Sequence, residues 1–201
     1  MYQYAEQLLD LIEQSPSRYH TTANLKNRLT AEGYAVLAED AAWDVRPGGR
    51  YVVTRNDSSL LAFRVPEGEA AGFALAAAHS DSPTFQIKEQ AEKLSARCTV
   101  LDTERYGGML MNTWFDRPLS VAGRIIVERD GKLEARLVDV GRDLMIIPSV
   151  AIHMNRAAND GVKLLANVDT FPLLGCGAQD LRAIVAEAAD VAPEQILGHD
   201  L

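Results

Sequence analysis

The stretch Phe73-Ala74-Leu75-Ala76-Ala77-Ala78 is apolar throughout and stops at His79-Ser80-Asp81-Ser82-Pro83. A short apolar run closed by a turn signal predicts a strand buried on both faces, the kind found inside parallel α/β sheets. Alanine favours helix, but the run is short and Pro83 closes it. Side chains two apart share a face of an extended backbone, so His79 and Asp81 point together at the carboxyl end of the predicted strand. Open α/β sheets bind ligands there. A neutral imidazole is a good donor to a zinc-like cation, and a carboxylate nearby either orients that imidazole or ligates the metal itself. The pair is therefore a candidate metal site. The same residues also read as a strand cap followed by a turn at Ser82-Pro83, and on His-x-Asp spacing alone that second reading is the commoner.

At 201 residues the chain is long enough for one large domain or two small ones. Lys+Arg 20 against Asp+Glu 28 gives a net charge of −8, so neither nucleic acid nor an anionic membrane is expected as a partner. No apolar run approaches the ~20 residues of a membrane-spanning helix. Residues 1–6 lack the basic and apolar regions of a signal peptide, so a cytoplasmic location is expected. The cysteines, Cys98 and Cys176, lie far apart in sequence and imply reduced thiols rather than a disulfide framework.

Helical spacing of Leu8, Leu9, Leu11 and Ile12 predicts a helix over 2–14, ended by Ser15-Pro16-Ser17. A second helix is predicted over 22–32 with Gly33 after it, which places His20 in the link. Residues 51–54 and 60–65 read as a hairpin around Asn56-Asp57-Ser58-Ser59. Together with the 73–78 strand they predict a small sheet covered by the two helices. Beyond Pro83 the pattern turns to half-buried strands at 85–88 and 98–101. A hairpin follows, 121–128 with 133–138, around Asp130-Gly131. A short helix is predicted over 149–156, a loop at 159–161 and a last amphipathic helix over 178–189, with Leu181, Ile184, Val185 and Ala188 on one face. His199-Asp200 reads as a solvated loop. The expected fold class is α/β, with an α/β layer over 1–90 and a β-rich unit over 91–201.

Taken singly, Trp114-Phe115 reads as core, Asp116-Arg117 as an ion pair at a turn, and His153 as an ordinary helix histidine. In this order, however, several segments resemble the M18 family of metallopeptidases, the aspartyl aminopeptidase family. They are Ser15-Pro16-Ser17 on to Leu29, Gly48-Gly49-Arg50-Tyr51 on to Phe63, Ala78-His79-Ser80-Asp81-Ser82-Pro83, Tyr106-Gly107-Gly108, the segment from Thr113 to Gly123, and the segment from Pro148 to Arg156. The resemblance implies a partial aminopeptidase-type catalytic layer over 1–90 followed by a β-rich dimerisation domain over 91–201. The implied activity is that of a two-zinc aminopeptidase, other divalent ions being possible, which removes N-terminal residues, often acidic ones, from peptides. Dimers built up to dodecamers are the implied assembly. By that resemblance His79 is a metal ligand, Asp81 the catalytic-site carboxylate that orients it, and His153 a substrate-binding residue sent into a neighbouring subunit's active site.

The sequence departs from the family pattern in three ways. His79-Ser80-Asp81 stands where the family often has His-Thr-Asp. Leu110-Met111-Asn112 stands where many members have Leu-Trp-His, so a role for that histidine does not carry over. In the family the sheet resumes after the dimerisation domain, and that half supplies the bridging Asp, a Glu-Glu pair, a further carboxylate and a second His. None of those has a counterpart in residues 1–201. Alongside the aminopeptidase expectation therefore stands an alternative: an inactive assembly or binding protein, or a fragment, that retains the dimerisation module.

Overall fold

Local signals explain most of the first elements. The computed structural model describes residues 2–201 and divides into two compact units between Ser82 and Pro83. In the first unit, α1 (Gln3–Glu13) is followed by α2 (Arg18–Ala31). Ser17 caps α2: its Oγ accepts the His20 N–H, satisfying a donor that the first turn of a helix leaves without a partner. This cap starts α2 earlier than the sequence pattern predicts. His20 consequently lies in the first helical turn, its Nδ1 2.8 Å from Ser17 Oγ, and not in the link. Gly33, at φ +85°, ends the helix. Then β1 (Ala35–Leu37) runs parallel to β2 (Arg50–Arg55), which pairs antiparallel with β3 (Ser59–Arg64). Tyr19 and Thr22 of α2, with Tyr51, Val52 and Val53 of β2, form the buried interior of this unit. Phe63 packs against Tyr51, ring centroids 5.3 Å apart, and stacks with Trp43 at 6.3 Å.

The expected strand over 73–78 is not formed. Residues 71–79 carry no regular structure, and Phe73 is 94% and Leu75 88% exposed. A strand buried on both faces needs a hydrogen-bonded neighbour on each side. Among the described residues none lies beside this segment, and the sheet of the unit is β1-β2-β3 instead.

The second unit opens with β4 (Thr84–Ser95), which runs across residue 90. A bulge between Ile87 and Glu92 interrupts its pairing with β5 (Cys98–Tyr106). Next comes the hairpin of β6 (Ala122–Arg129) and β7 (Lys132–Asp139), whose turn places Asp130 at φ 52° and Gly131 at φ 73°. Both central residues at positive φ is the conformation that Asp-Gly favours. A single-turn α3 (Ala166–Asp169), β8 (Leu173–Cys176), α4 (Leu181–Ala188) and β9 (Ile196–Asp200) complete the unit. The two sheets are ordered β4-β5-β8 and β7-β6-β9.

Alternation places Thr99, Leu101 and Thr103 of β5 and Gly123, Ile125 and Val127 of β6 inward, and the core between them is closed by Leu181, Val185 and Ala186 of α4. Ala188, expected on that face, is exposed, and Ala186 takes its place. His199-Asp200 is not a loop either. Both residues lie in β9, Asp200 accepts from Arg124 Nε and Nη2 at 3.0 and 2.9 Å, and His199 pairs with Ile125. Among the described residues no helix is long and apolar enough to cross a membrane.

Candidate functional site

The segment after the apolar run is tied down at its end. Ser80 Oγ donates to the Ser58 carbonyl at 3.0 Å, which fixes the chain against the β2–β3 turn. On either side of this anchor, His79 and Asp81 turn to the same side, and His79 Nδ1 lies 2.9 Å from Asp81 Oδ1. The imidazole is 92% exposed and the carboxylate 30%, so the carboxylate is the fixed partner and the ring projects outward. A carboxylate on Nδ1 selects the tautomer with the proton there, leaving the lone pair of Nε2 facing solvent. This is the arrangement in which a histidine is ready to bind a metal ion.

One imidazole with its orienting carboxylate is only part of a zinc site, which takes about four donors. Among the described residues no group of three or more His, Cys, Asp or Glu is placed to hold a metal ion. The donor chemistry of His79 therefore fits zinc, and the donor count of this chain does not complete a site.

His153 belongs to the second unit. The helix expected over 149–156 is absent: residues 148–156 form turns, and Asn155 N–H to Ala151 O, at 3.3 Å, is the i→i+4 bond there. Val150, Ile152 and Met154 are exposed, so no packing supports a helix this short. His153 is exposed at the tip of this segment.

The root of the segment is fixed by residues that the sequence pattern assigned to another role. Asp116, at φ 55°, donates its N–H to Ile147 O at 3.0 Å, and its Oδ1 accepts the Ser149 N–H at 2.8 Å. The Ser149 hydroxyl and, after it, the Ser149 backbone N–H hold the Asp116 carboxyl below its ordinary range. The partner of Asp116 is thus Ser149 and not Arg117, whose Nη1 reaches the Thr113 carbonyl at 3.5 Å. Trp114, two residues before Asp116, packs edge-on against Phe85, centroids 5.3 Å apart. Because the contact spans residues 116 and 149, no local sequence pattern reveals it.

Comparison with known proteins agrees with this architecture. The sequence profile of the family described as Aminopeptidase I zinc metalloprotease (M18) matches residues 11–198. A relative named Probable M18 family aminopeptidase 2, from Clostridium acetobutylicum, is 44% identical over 178 residues, covering 86% of this chain and 41% of the relative. A cryo-EM structure of the Ape4 and Nbr1 complex contains a chain that superposes with a TM-score of 0.91 at 31% identity, covering 98% of this chain and 42% of that one. The mApe1 dodecamer of S. cerevisiae superposes with a TM-score of 0.81 at 25% identity, covering 98% and 47%.

The chain belongs to the M18 family of aminopeptidases. It spans about half the length of the curated relatives it matches.

Proposed function

We propose that this chain supplies the first part of the catalytic domain and the dimerisation module of a zinc-dependent aminopeptidase, one that removes N-terminal residues, acidic ones among them, from peptides. The observation that carries the reading is the His79–Asp81 pair, with a fixed carboxylate on Nδ1 and Nε2 facing outward. On this reading His79 Nε2 is one ligand of a two-metal centre, and the remaining ligands come from the part of the protein beyond these residues. Asp81 holds the imidazole in place. When bound, zinc lowers the pKa of a coordinated water and polarises the scissile carbonyl. The exposed 73–78 run supports the same division of labour, since six apolar residues left in water are the natural edge for strands supplied by that remaining half.

The second unit is the dimerisation domain on this reading. Its 148–156 segment, rooted by Asp116, carries His153 into the active site of a second copy, where an imidazole N–H stabilises the carbonyl oxygen as charge develops. Assembly beyond the dimer, up to a dodecamer, follows the mApe1 neighbour. A cytoplasmic setting suits two cysteines that form no framework.

A second reading is an assembly or binding protein without chemistry, which keeps the dimerisation module of the second unit. Zinc content and peptide hydrolysis, measured on this chain and again with the remaining half added, separate the two. Zinc uptake and turnover appearing only in the reconstituted protein support the enzyme; neither appearing despite association supports the second reading. In the reconstituted enzyme, His153→Ala and His79→Ala subunits should each be nearly inactive alone. Mixed dimers should regain activity, because one of their two sites combines an intact His79 with an intact His153. Mixing that restores nothing although subunits exchange removes the shared-site role of His153.

A further inference from the structure

Cys98 and Cys176 stand at opposite ends of the second unit's sequence, yet β5 and β8 bring them face to face as directly opposed residues of an antiparallel pair. The neighbouring pair, Arg97 and Gly177, is the hydrogen-bonded one, with Gly177 N–H donating to Arg97 O at 2.7 Å. Cys98 and Cys176 therefore occupy a non-hydrogen-bonded position, where opposed Cα atoms approach to about 4.5 Å and side chains are closest. A disulfide accepts Cα separations from about 4.4 to 6.8 Å. The sulfurs already lie 3.4 Å apart, with the Cys98 S–H donating to Cys176 Sγ.

The pair is held there by contacts that do not involve sulfur. Thr99 Oγ1 donates to Gly177 O at 2.8 Å and accepts the Gln179 N–H at 3.0 Å, clamping the turn after β8 onto β5. Both cysteines lie on the outer face of the sheet, opposite to Thr99 and Leu101. Cys176 is exposed and Cys98 half-buried. The hydrogen bond to Cys176, then burial, pushes the Cys98 thiol above its ordinary value, so Cys98 stays protonated while it waits.

We propose that Cys98 and Cys176 form a dithiol that low-molecular-weight disulfides oxidise reversibly to a covalent staple between β5 and β8. This inference does not rest on the peptidase reading. Cys176 thiolate attacks one sulfur of the small disulfide, forming a mixed disulfide and expelling one thiolate. Cys98, deprotonated in turn, attacks Cys176 Sγ and expels the second. Two electrons pass from the cysteines to the oxidant, one S–S bond forms for the one broken, and the two cysteine protons end on the two small thiols or in buffer. Excess monothiol reverses both steps. The staple closes the loop that carries Asp116, Ser149 and His153, so oxidation restrains the separation of β8 from β5 without moving either strand.

The test uses the 201-residue chain, oxidised glutathione as probe, and acid quenching followed by alkylation and intact-mass measurement. Alkylatable thiols should fall from two to none, with loss of two hydrogens and no retained glutathione, and excess reduced glutathione should restore both. A peptide map should join Cys98 to Cys176 within one chain. Cys98→Ser should instead accumulate one glutathione adduct on Cys176, since its resolving thiol is gone. Wild type unfolded in urea should also accumulate adducts, because Cys98 is then no longer held beside Cys176. Two glutathione adducts on folded wild type, two persistently free thiols, linkage between chains, or a bond that excess glutathione leaves intact would each overturn the proposal; the wild-type arms decide it even if a variant misfolds.

Discussion

Gly123→Ala isolates the closest backbone approach at any glycine of the second unit. A Cβ at this buried position of β6 overlaps the carbonyl oxygen of Asp200 in β9, with Asp200 C and Leu201 Cα each 3.0 Å away. These are backbone atoms, so no side-chain rotation relieves the overlap, and β9 must retreat by roughly 1 Å to reach ordinary contact. That retreat strains the β6–β9 bonds at Arg124↔Asp200 and the bond from Ile87 N–H to Leu201 O, 2.9 Å long. Two backbone bonds at about 1 kcal/mol each, and about 1 kcal/mol from the partly exposed Arg124–Asp200 pair, are placed at risk. Alanine's lower chain entropy returns about 0.5–1 kcal/mol. The net loss is about 2–2.5 kcal/mol. Trp43 lies in the first unit and Trp114 in the second, so a Trp43→Phe background makes tryptophan fluorescence report on the second unit alone. With a urea m-value of about 1–3 kcal/mol/M, the midpoint should fall by about 0.7–2.5 M with m unchanged. Gly108→Ala is the control, because a Cβ there meets nothing within 4 Å. The reasoning fails if Gly123→Ala loses less than about 0.5 kcal/mol, or if Gly108→Ala loses as much.

Leu101, 0% exposed between the two sheets, should cost about 2–5 kcal/mol when truncated to alanine and under about 1.5 kcal/mol when replaced by methionine, both read from urea midpoints; equal losses would argue against a packed site. Asp116 has a folded pKa depressed by Ser149, so its stabilising contribution is present above the ordinary aspartate value of about 3.9 and disappears as pH falls through the lower folded value. Asp116→Asn, which keeps an acceptor and tolerates positive φ, should melt below wild type at pH 7, with the gap closing at lower pH. A gap that stays constant from pH 7 to 3 would remove the ionised carboxylate from the account.

Legibility in the sequence followed how local each signal was. The β6–β7 hairpin could be read because Asp130-Gly131 favours the backbone its turn needs, and the β2–β3 turn because Asn56 and Asp57 tolerate φ of 51° and 52°. The β4–β5 turn could not: Ala96 and Arg97 adopt φ of 48° and 68° against their own preference, held by the strands they join. Short β1 offers three residues of pattern, and β8 and β9 are interrupted by Gly175 and Gly198, so all three depend on neighbours distant in sequence. The apolar run at 73–78 shows the converse, a strong strand signal without a partner among the described residues. At the candidate site, the His79–Asp81 pairing followed from two-residue spacing. The Asp116–Ser149 contact had no comparable local signal.

The position of β9 has a consequence for synthesis. Its register with β6 and the bond from Ile87 to Leu201 mean that the second unit lacks one sheet edge until residues 196–201 have been made. The first unit needs nothing beyond residue 82 for its own sheet. At about 5–20 residues per second, the ribosome extends the chain for roughly 6–24 s between completing the two. For the part of that interval between residues 129 and 196, roughly 3–13 s, β6 presents bare backbone along the side that β9 later covers, and this nascent edge is where a chaperone or a neighbouring chain has its opportunity.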